Sequence, residues 1–152
     1  KYRRNEAGGT MSQQELEGYA VFNQKCASCH ATDLFTDNSF RNNGLPVNPA
    51  LNDVGRFRVT ELAQDLHKFK VPSLRNVEKT APYMHDGRLY TLEAVLEHYS
   101  SGVENSPTLD PILKRNGNVG IALTATEKTQ LIAFLKTLTD TQYLTDKRFS
   151  EY

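Results

Sequence analysis

The sequence predicts an all-α domain of four or five helices joined by long loops. Ser12 and Thr124 each begin a Ser/Thr-x-x-Glu capping box, in which two side chains satisfy free backbone donors at a helix start. After both boxes, and again after Thr91, apolar residues recur at the three- and four-residue spacing of a helix face. No segment shows the alternating pattern of a half-buried strand, which is why we expect no sheet.

The sequence indicates where each helix begins and ends. The first runs from Ser12 towards Cys26, and a short one is expected over residues 60–68. The third begins after Thr91 and ends at Gly102, and the last follows Thr124. Their apolar faces are Leu16, Tyr19, Ala20 and Phe22; Leu92, Val95, Leu96 and Tyr99; and Leu131, Phe134, Leu135 and Leu138.

Long irregular segments separate these helices. Residues 32–58 are rich in Asn, Asp, Gly and Pro, and residues 106–120 form another such loop. Loops of this length within one domain usually have a functional reason, such as wrapping a ligand.

The composition limits the class of protein. The 152 residues are enough for about one domain, and 38% hydrophobic with 24% charged residues is typical of a globular chain. Eighteen basic and eighteen acidic residues give zero net charge, which argues against a general nucleic-acid binder. No apolar run approaches the roughly 20 residues of a membrane span. The chain begins at Lys1 without a signal peptide, so we expect a processed protein or a piece of a longer one.

The two cysteines carry the chemical signal. They stand in the sequence Cys26-Ala27-Ser28-Cys29-His30, a C-x-x-C-H motif typical of covalent c-type haem attachment. Two intervening residues allow both thiols to reach neighbouring vinyl groups of one porphyrin, and His30 then lies below the iron as proximal ligand. The prediction is therefore a cytochrome c-like domain whose long loops wrap one covalent haem c.

Three other interpretations of the motif stay open. A redox disulfide between Cys26 and Cys29 would need a βαβ context, which the sequence lacks. A zinc site would need two more ligands, and the available residues His67, His85 and His98 are scattered. The motif could also occur by chance without any cofactor.

Two further segments extend the evidence beyond the motif. Residues 69–77 read FKVPSLRNV, and residues 80–87 read TAPYMHDG, followed by Thr91-Leu92-Glu93. Together with the haem motif they resemble the C-terminal haem domain of the bacterial dihaem cytochrome c peroxidase and MauG family, over about residues 18–139. The resemblance implies a linker from a preceding domain over residues 1–11, a haem domain over 12–140 and a C-terminal tail over 141–152.

The resemblance also bears on the distal iron ligand. Typical peroxidases of the family carry a Met ligand fourteen residues after the His of the His-Asp-Gly motif, and here that position is Tyr99. MauG-type members have a Tyr ligand there, so the resemblance favours Tyr99. Met84 is a rival, and Tyr99 could instead be an ordinary core aromatic. His98 is a weaker candidate, because a regular helix turns it away from the Leu92–Leu96 face.

Other site residues follow from the same resemblance. Arg75 is expected to bind a haem propionate, because a guanidinium matches a carboxylate bidentately. His85 is expected near the haem or at the domain interface. The backbone carbonyls of Thr80 and Pro82 would help to bind a calcium ion between two domains. We expect no catalytic residue in this chain.

The function implied is that of one part of a redox enzyme. The domain would relay or store oxidising equivalents for peroxide-dependent chemistry at a second haem, held by an N-terminal domain of the same protein, with little turnover alone. An electron-donor protein, such as a small cytochrome or cupredoxin, would be a second partner. Haem c attachment takes place outside the cytoplasm, so the periplasm or another extracytoplasmic site is expected. The alternative is a free-standing monohaem electron-transfer cytochrome.

Overall fold

The computed structural model describes Tyr2, Glu6 and residues 9–115 and 117–149. This part of the chain contains five α-helices, several short 3₁₀ turns and one π-helical turn. The α-helices are α1 (Gln13–Lys25), α2 (Phe57–Thr60), α3 (Leu92–Glu97), α4 (Ala125–Lys136) and α5 (Thr141–Leu144). The 3₁₀ turns are Ala63–Asp65, Val77–Lys79, Pro111–Leu113 and Lys147–Phe149.

The all-α prediction is wrong. Of the residues that the structure describes, only 40% are helical, and 10% are in strands or isolated β-bridges. Strands β1 (Phe40–Arg41) and β2 (Phe69–Lys70) pair antiparallel, as do β3 (Lys114–Arg115) and β4 (Asn118–Val119). These two-residue ribbons provide hydrogen-bond partners for backbone groups in the long loops. Strands this short show no alternation in the sequence.

Helices α1 and α4 pack directly against each other and form the centre of the domain. Gly18 is buried at their closest approach, where a Cβ atom would lie 2.0 Å from the Gln130 carbonyl oxygen. Beside it, the rings of Phe22 and Phe134 lie 5.0 Å apart between centroids. The buried residues of this main core are Phe22, Val77, Leu92, Leu96, Leu131, Phe134 and Leu135.

Both predicted capping boxes are confirmed. The Ser12 hydroxyl accepts from the Glu15 N–H, and the Glu15 carboxylate accepts from the Ser12 N–H at 2.6 Å. Thr124 and Glu127 make the same pair of bonds at the start of α4. Lys25, at the end of α1, forms a 2.5 Å ion pair with Glu127. The end of α1 is therefore fixed to the beginning of α4.

The predicted helix over residues 92–102 changes its geometry halfway. Thr91 caps it, and Leu92 and Leu96 are buried as expected, but the α-helix ends at Glu97 and continues as a π turn, His98–Gly102. A π turn adds a residue per turn, so the regular helical projection no longer applies. His98, which a regular helix would turn away from the Leu92–Leu96 face, is buried within this π turn.

In place of the predicted helix over residues 60–68, the structure has a short α-helix over Phe57–Thr60. Helix α2 ends at Thr60, because Glu61 adopts a left-handed conformation with φ 56°. The segment beyond contains only the 3₁₀ turn Ala63–Asp65. A smaller core of Val103, Leu109 and Leu113 supports the loops on this side of the domain.

The two ends of the chain are described in part. Within the predicted linker over residues 1–11, the Tyr2 ring contacts Tyr19 with 6.1 Å between centroids, and residues 1, 3–5 and 7–8 lie outside the described part. The predicted tail contains α5 and the last 3₁₀ turn, and residues 150–152 lie outside. None of the described helices combines the length and apolar character needed to cross a bilayer.

Candidate haem-binding site

The C-x-x-C-H motif forms a single turn at the end of α1. Cys26 is the C-terminal cap of the helix, and its N–H donates to the Phe22 carbonyl oxygen at 2.8 Å. The N–H groups of Cys29 and His30 both donate to the Cys26 carbonyl oxygen, at 3.2 and 3.0 Å. The turn therefore presents two thiols and an imidazole from one rigid piece of backbone.

Both thiols are free and half-buried. Cys26 packs against the main core, and burial raises the pKa of its thiol to about 12, with a further rise from Cys29. Burial also raises the pKa of Cys29, although the nearby charge of Arg41 acts in the opposite direction. In the folded chain both side chains are therefore protonated at neutral pH.

His30 is held in one orientation by the loop that follows it. Its Nδ1 atom lies 2.9 Å from the Phe35 carbonyl oxygen, so Nδ1–H donates, and in the neutral ring Nε2 carries the lone pair. Burial lowers the pKa of His30, while hydrogen bonds to the carbonyls of Phe35 and Pro72 act against that change. A neutral imidazole with a free Nε2 is the form that binds a metal.

The loop that supplies this carbonyl is itself well fixed. Phe35 has a left-handed backbone with φ 55°, which turns the chain back towards the motif. The next residue, Thr36, is buried, and its hydroxyl donates to the Val71 carbonyl oxygen at 2.7 Å. A segment 35 residues further along the chain therefore fixes the loop that contacts His30.

A partly buried network of charged side chains lies on the Cys29 side of the turn. Arg41 donates to Asp37 at 2.7 Å, to Asp110 at 2.8 Å and to the Ser39 hydroxyl at 2.8 Å. The sequence analysis missed this arginine. Two of its partners are local, but the third, Asp110, is 69 residues away, and no sequence pattern indicates that pairing.

The three candidate distal ligands lie around a single residue, Asn43. The Asn43 amide nitrogen Nδ2 lies 3.3 Å from the Met84 sulfur, and its side chain also hydrogen-bonds to Tyr99. The Nε2 atom of His98 lies 3.1 Å from the Asn43 carbonyl oxygen. Asn43 was also missed from the sequence, where it is one of many loop asparagines.

The Tyr99 hydroxyl interacts electrostatically with the cysteine turn. Burial raises the pKa of the Tyr99 hydroxyl, and the thiols of Cys29 and Cys26 add to that rise, while the hydrogen bond from Asn43 lowers it. The structure therefore brings Tyr99 into the electrostatic neighbourhood of both cysteines.

The donor set fits a covalently attached haem c. Two free thiols stand on one turn, and the imidazole beside them has its Nδ1 already committed to a carbonyl. The phenol of Tyr99 interacts electrostatically with both thiols. The zinc interpretation has no matching ligand set, because the described residues hold no cluster of three or more His, Cys, Asp or Glu side chains able to bind a metal ion.

Comparison with known proteins agrees with this site. No family model matches the chain. The methylamine utilization protein MauG of Methylorubrum extorquens is 42% identical over 125 residues, which is 80% of this chain. The cytochrome c551 peroxidase of Nitrosomonas europaea is 37% identical over 87% of it. The chain belongs to the MauG and cytochrome c peroxidase family.

A solved structure extends this family likeness to the fold. The crystal structure of a MauG-like protein associated with microbial copper homeostasis is 34% identical, covers 98% of this chain and superposes with a TM-score of 0.80. The chain corresponds to only 53% of that structure and to 33% and 36% of the lengths of the two relatives above. It therefore spans a third to a half of these family members.

Two other residues expected from the family resemblance, His85 and Arg75, have their contacts elsewhere in the structure. The His85 ring stacks on Phe69 with 3.7 Å between centroids, and both border a surface pocket that also includes Asp53 and His67. Burial lowers the pKa of His85, although the ring is largely exposed. Arg75 lies at the surface and faces Asp140 at 3.7 Å.

The predicted calcium ligands occupy an exposed turn. Thr80 and Pro82 both lie at the surface, and the Thr80 hydroxyl donates to the Val77 carbonyl oxygen at 3.2 Å. Their backbone carbonyls, the atoms expected to bind calcium, are thus on a face accessible to another domain.

Proposed function

We propose that this chain is the domain of a dihaem peroxidase-like oxidoreductase that carries one covalent haem c. It would relay or store oxidising equivalents for peroxide-dependent chemistry at a second haem in a preceding domain. The observation that carries the proposal is the cysteine turn, where the Nδ1–H of His30 is committed to the Phe35 carbonyl at 2.9 Å. Family relatives named as peroxidases and as MauG support it.

Each residue of the turn has a separate task. Cys26 and Cys29 would hold the porphyrin through thioether bonds, and His30 would bind the iron through Nε2. The bound haem supplies a one-electron redox centre, and the protein supplies its position and electrostatic environment. The Phe35 carbonyl fixes the plane and tautomer of the imidazole, which is the usual role of such a hydrogen bond.

For the distal position we propose Tyr99, with Met84 as its rival. The Tyr99 hydroxyl interacts electrostatically with the thiols of Cys29 and Cys26, which supports this choice. A phenolate is anionic and favours oxidised iron, whereas a thioether raises the reduction potential. A tyrosine ligand would therefore suit a domain that stores oxidising equivalents better than one that accepts electrons at high potential.

The residues around the site indicate where the proposed partners would bind. An N-terminal haem domain would contact the exposed turn at Thr80 and Pro82, where carbonyl oxygens suit a shared calcium ion. His85 would lie near the haem or that interface. For Arg75 to bind a propionate, its guanidinium must exchange its loose contact with Asp140. A small electron-donor protein would be a second partner, and covalent haem attachment implies a periplasmic or other extracytoplasmic location.

Covalent haem is the first thing to test. The chain is produced together with the c-type haem attachment machinery, denatured, and assayed by pyridine haemochrome and intact mass. We expect one covalent haem per chain, and none in the Cys26→Ser/Cys29→Ser double variant. Ser28→Ala, within the same turn but with both thiols intact, should retain it. A wild-type chain without covalent haem would contradict the proposal.

The relay role needs the longer protein. In it, the double cysteine variant should lose peroxide-dependent oxidation of the electron donor, while the absorption spectrum of the other haem is unchanged. The excised domain should turn over peroxide slowly at best. Rapid turnover by the excised domain would show that the peroxidatic haem is this one, and the division of roles would be wrong.

A further inference from the structure

Three charged residues are joined to the cysteine turn by hydrogen bonds. The Asp37 N–H donates to the Cys29 carbonyl oxygen at 3.0 Å, so Asp37 is in backbone contact with the second cysteine of the motif. The Asp37 carboxylate accepts from Nη2 of Arg41 at 2.7 Å, and Nη1 of Arg41 donates to Asp110 at 2.8 Å. We refer to Asp37, Arg41 and Asp110 as the Arg41 network.

The side chains of the Arg41 network are each held in one orientation. The N–H and hydroxyl of Ser39 both donate to Oδ1 of Asp37, at 2.9 and 2.6 Å, and the same hydroxyl accepts from Nε of Arg41 at 2.8 Å. Oδ1 of Asp110 accepts from the Ile112 N–H at 2.9 Å. The charges of the network therefore keep fixed positions relative to the turn.

The charges of the network act on both ends of the turn. Besides burial, the charges of Arg41, Asp110 and Asp37 each act on the pKa of Cys29. Those of Asp37 and Arg41 also act on the pKa of His30. Cys29 and His30 are the residues that would hold the porphyrin and the iron, so the field of the network reaches the place where a haem would be attached.

The network carries an excess of negative charge and is sheltered from water. Two carboxylates face one guanidinium, and the exposed fractions of the Asp37, Arg41 and Asp110 side chains are 22%, 27% and 13%. Salt and water screen partly buried charges less than exposed ones. Because a Coulomb interaction falls only with the inverse of distance, it acts on a neighbouring redox centre without direct contact.

We propose that the Arg41 network sets the reduction potential of the haem on the cysteine turn: its two carboxylates favour the oxidised iron, and the Arg41 guanidinium limits their effect. The inference rests on the proposed function, since it requires a covalent haem. Oxidation adds one positive charge to the haem, and nearby anions stabilise that charge while nearby cations destabilise it. The excess negative charge lowers the potential, which suits a domain that stores oxidising equivalents.

The test compares the reduction potentials of haem-loaded chains, measured by spectroelectrochemical titration at pH 7. Asp37→Asn and Asp110→Asn each remove a negative charge and keep the shape of the side chain. Arg41→Gln removes the positive charge, and Arg41→Lys keeps it. Arg148→Gln is the control, because it removes a cation from the ion pair with Asp146, where the Arg148 side chain is 81% exposed and its charge is screened.

We expect the potential to rise in both Asn variants and to fall in Arg41→Gln. Arg41→Lys and Arg148→Gln should stay close to the wild type. A network with a merely structural role would loosen the site in all three charge-removing variants, and the potential would then move in one direction. Opposite shifts therefore identify the charges as the cause.

Any other pattern among the folded variants, including shifts of one sign or no shift, would overturn the inference. Thermal melting followed by circular dichroism shows which variants are folded. If Arg41→Gln does not fold, the two Asn variants decide alone, and a potential that falls or stays unchanged in either would contradict the inference. A chain without covalent haem would overturn the proposed function instead, which the haemochrome assay shows separately.

Discussion

The Nδ1 atom of His30 lies 2.9 Å from the carbonyl oxygen of Phe35, five residues further along the chain. The orientation of the imidazole is thereby set by a neutral backbone group within the same loop. A carboxylate partner at Nδ1 would give the ring more anionic character and make it a more basic ligand. Here His30 is presented as a plain neutral imidazole, in a geometry that the chain forms from its own backbone.

The two thiols should react at different rates in the chain without haem. Burial raises the pKa of Cys26 to about 12, so very little Cys26 thiolate is present at pH 8. The pKa of Cys29 is raised as well, but Arg41 opposes the rise. Alkylation at pH 8, followed by peptide mass mapping, should label Cys29 first. In denaturant the two rates should converge, and preferential labelling of Cys26 in the folded chain would contradict the packing described.

Replacing Tyr99 should change the iron centre more than replacing Met84. In the haem-loaded chain, Tyr99→Phe removes the phenolic oxygen and keeps the ring, so the ferric spectrum should change and the reduction potential should rise. Met84→Leu keeps the volume of the side chain and should leave both nearly unchanged. Absorption spectra and potentiometric titration measure the two effects. If Met84→Leu changed the spectrum and Tyr99→Phe did not, the assignment would be reversed.

Acid should weaken the network that holds Arg41. Burial alone would raise the pKa of Asp37, but hydrogen bonds from Ser39 and Arg41 outweigh it and lower that pKa below 3.8. The ionised carboxylate therefore stabilises the folded state at neutral pH, and this contribution is lost as the pH falls below about 4. Asp37→Asn should lower the melting temperature at pH 7 and have a smaller effect near pH 3.

The exposed substitution Glu61→Gln provides the control for this pH dependence. It should produce little change in melting temperature at either pH. An Asp37→Asn effect that stays equal from pH 7 to pH 3 would show that the carboxylate's charge does not contribute.

Adding one methyl group between the central helices should destabilise the fold. In Gly18→Ala the new Cβ would lie 2.0 Å from the Gln130 carbonyl oxygen, so α1 and α4 must move apart. We expect a loss of about 1–3 kcal/mol in the free energy of unfolding, typical of overpacking, measured by denaturant titration. In Gly102→Ala the nearest atom is 3.3 Å away, on the His98 side chain, and the loss should be smaller.

Local patterns predicted the features that depend on neighbouring residues. Ser12 and Thr124 cap their helices as expected, because a capping box is complete within four residues. The cysteine turn was predicted in the same way, from five consecutive residues. Features that depend on pairing between distant residues could not be predicted from the sequence. Arg41 is defined by Asp110, 69 residues away, and Asn43 by Met84, 41 residues away.

The short strands and the burial of His98, which the sequence did not indicate, have a similar cause. Strands β1 and β2 are two residues long and pair across a loop, so no alternation exists to be read. The burial of His98 depends on the change from an α-helix to a π turn at that residue, which the apolar spacing of the preceding turns does not indicate. In both cases tertiary contacts decide the local geometry.

The packing of α1 on α4 also determines when this domain can fold. The side chains of Glu17 and Gln130 that meet across the two helices are separated by 113 positions in the sequence. The cysteine turn follows directly after α1, so a ribosome makes it long before the helix that completes its support. Contacts this distant close slowly. Until α4 has packed on α1, the interior that raises the pKa of Cys26 is incomplete, so both thiols are more accessible on the open chain than in the folded domain.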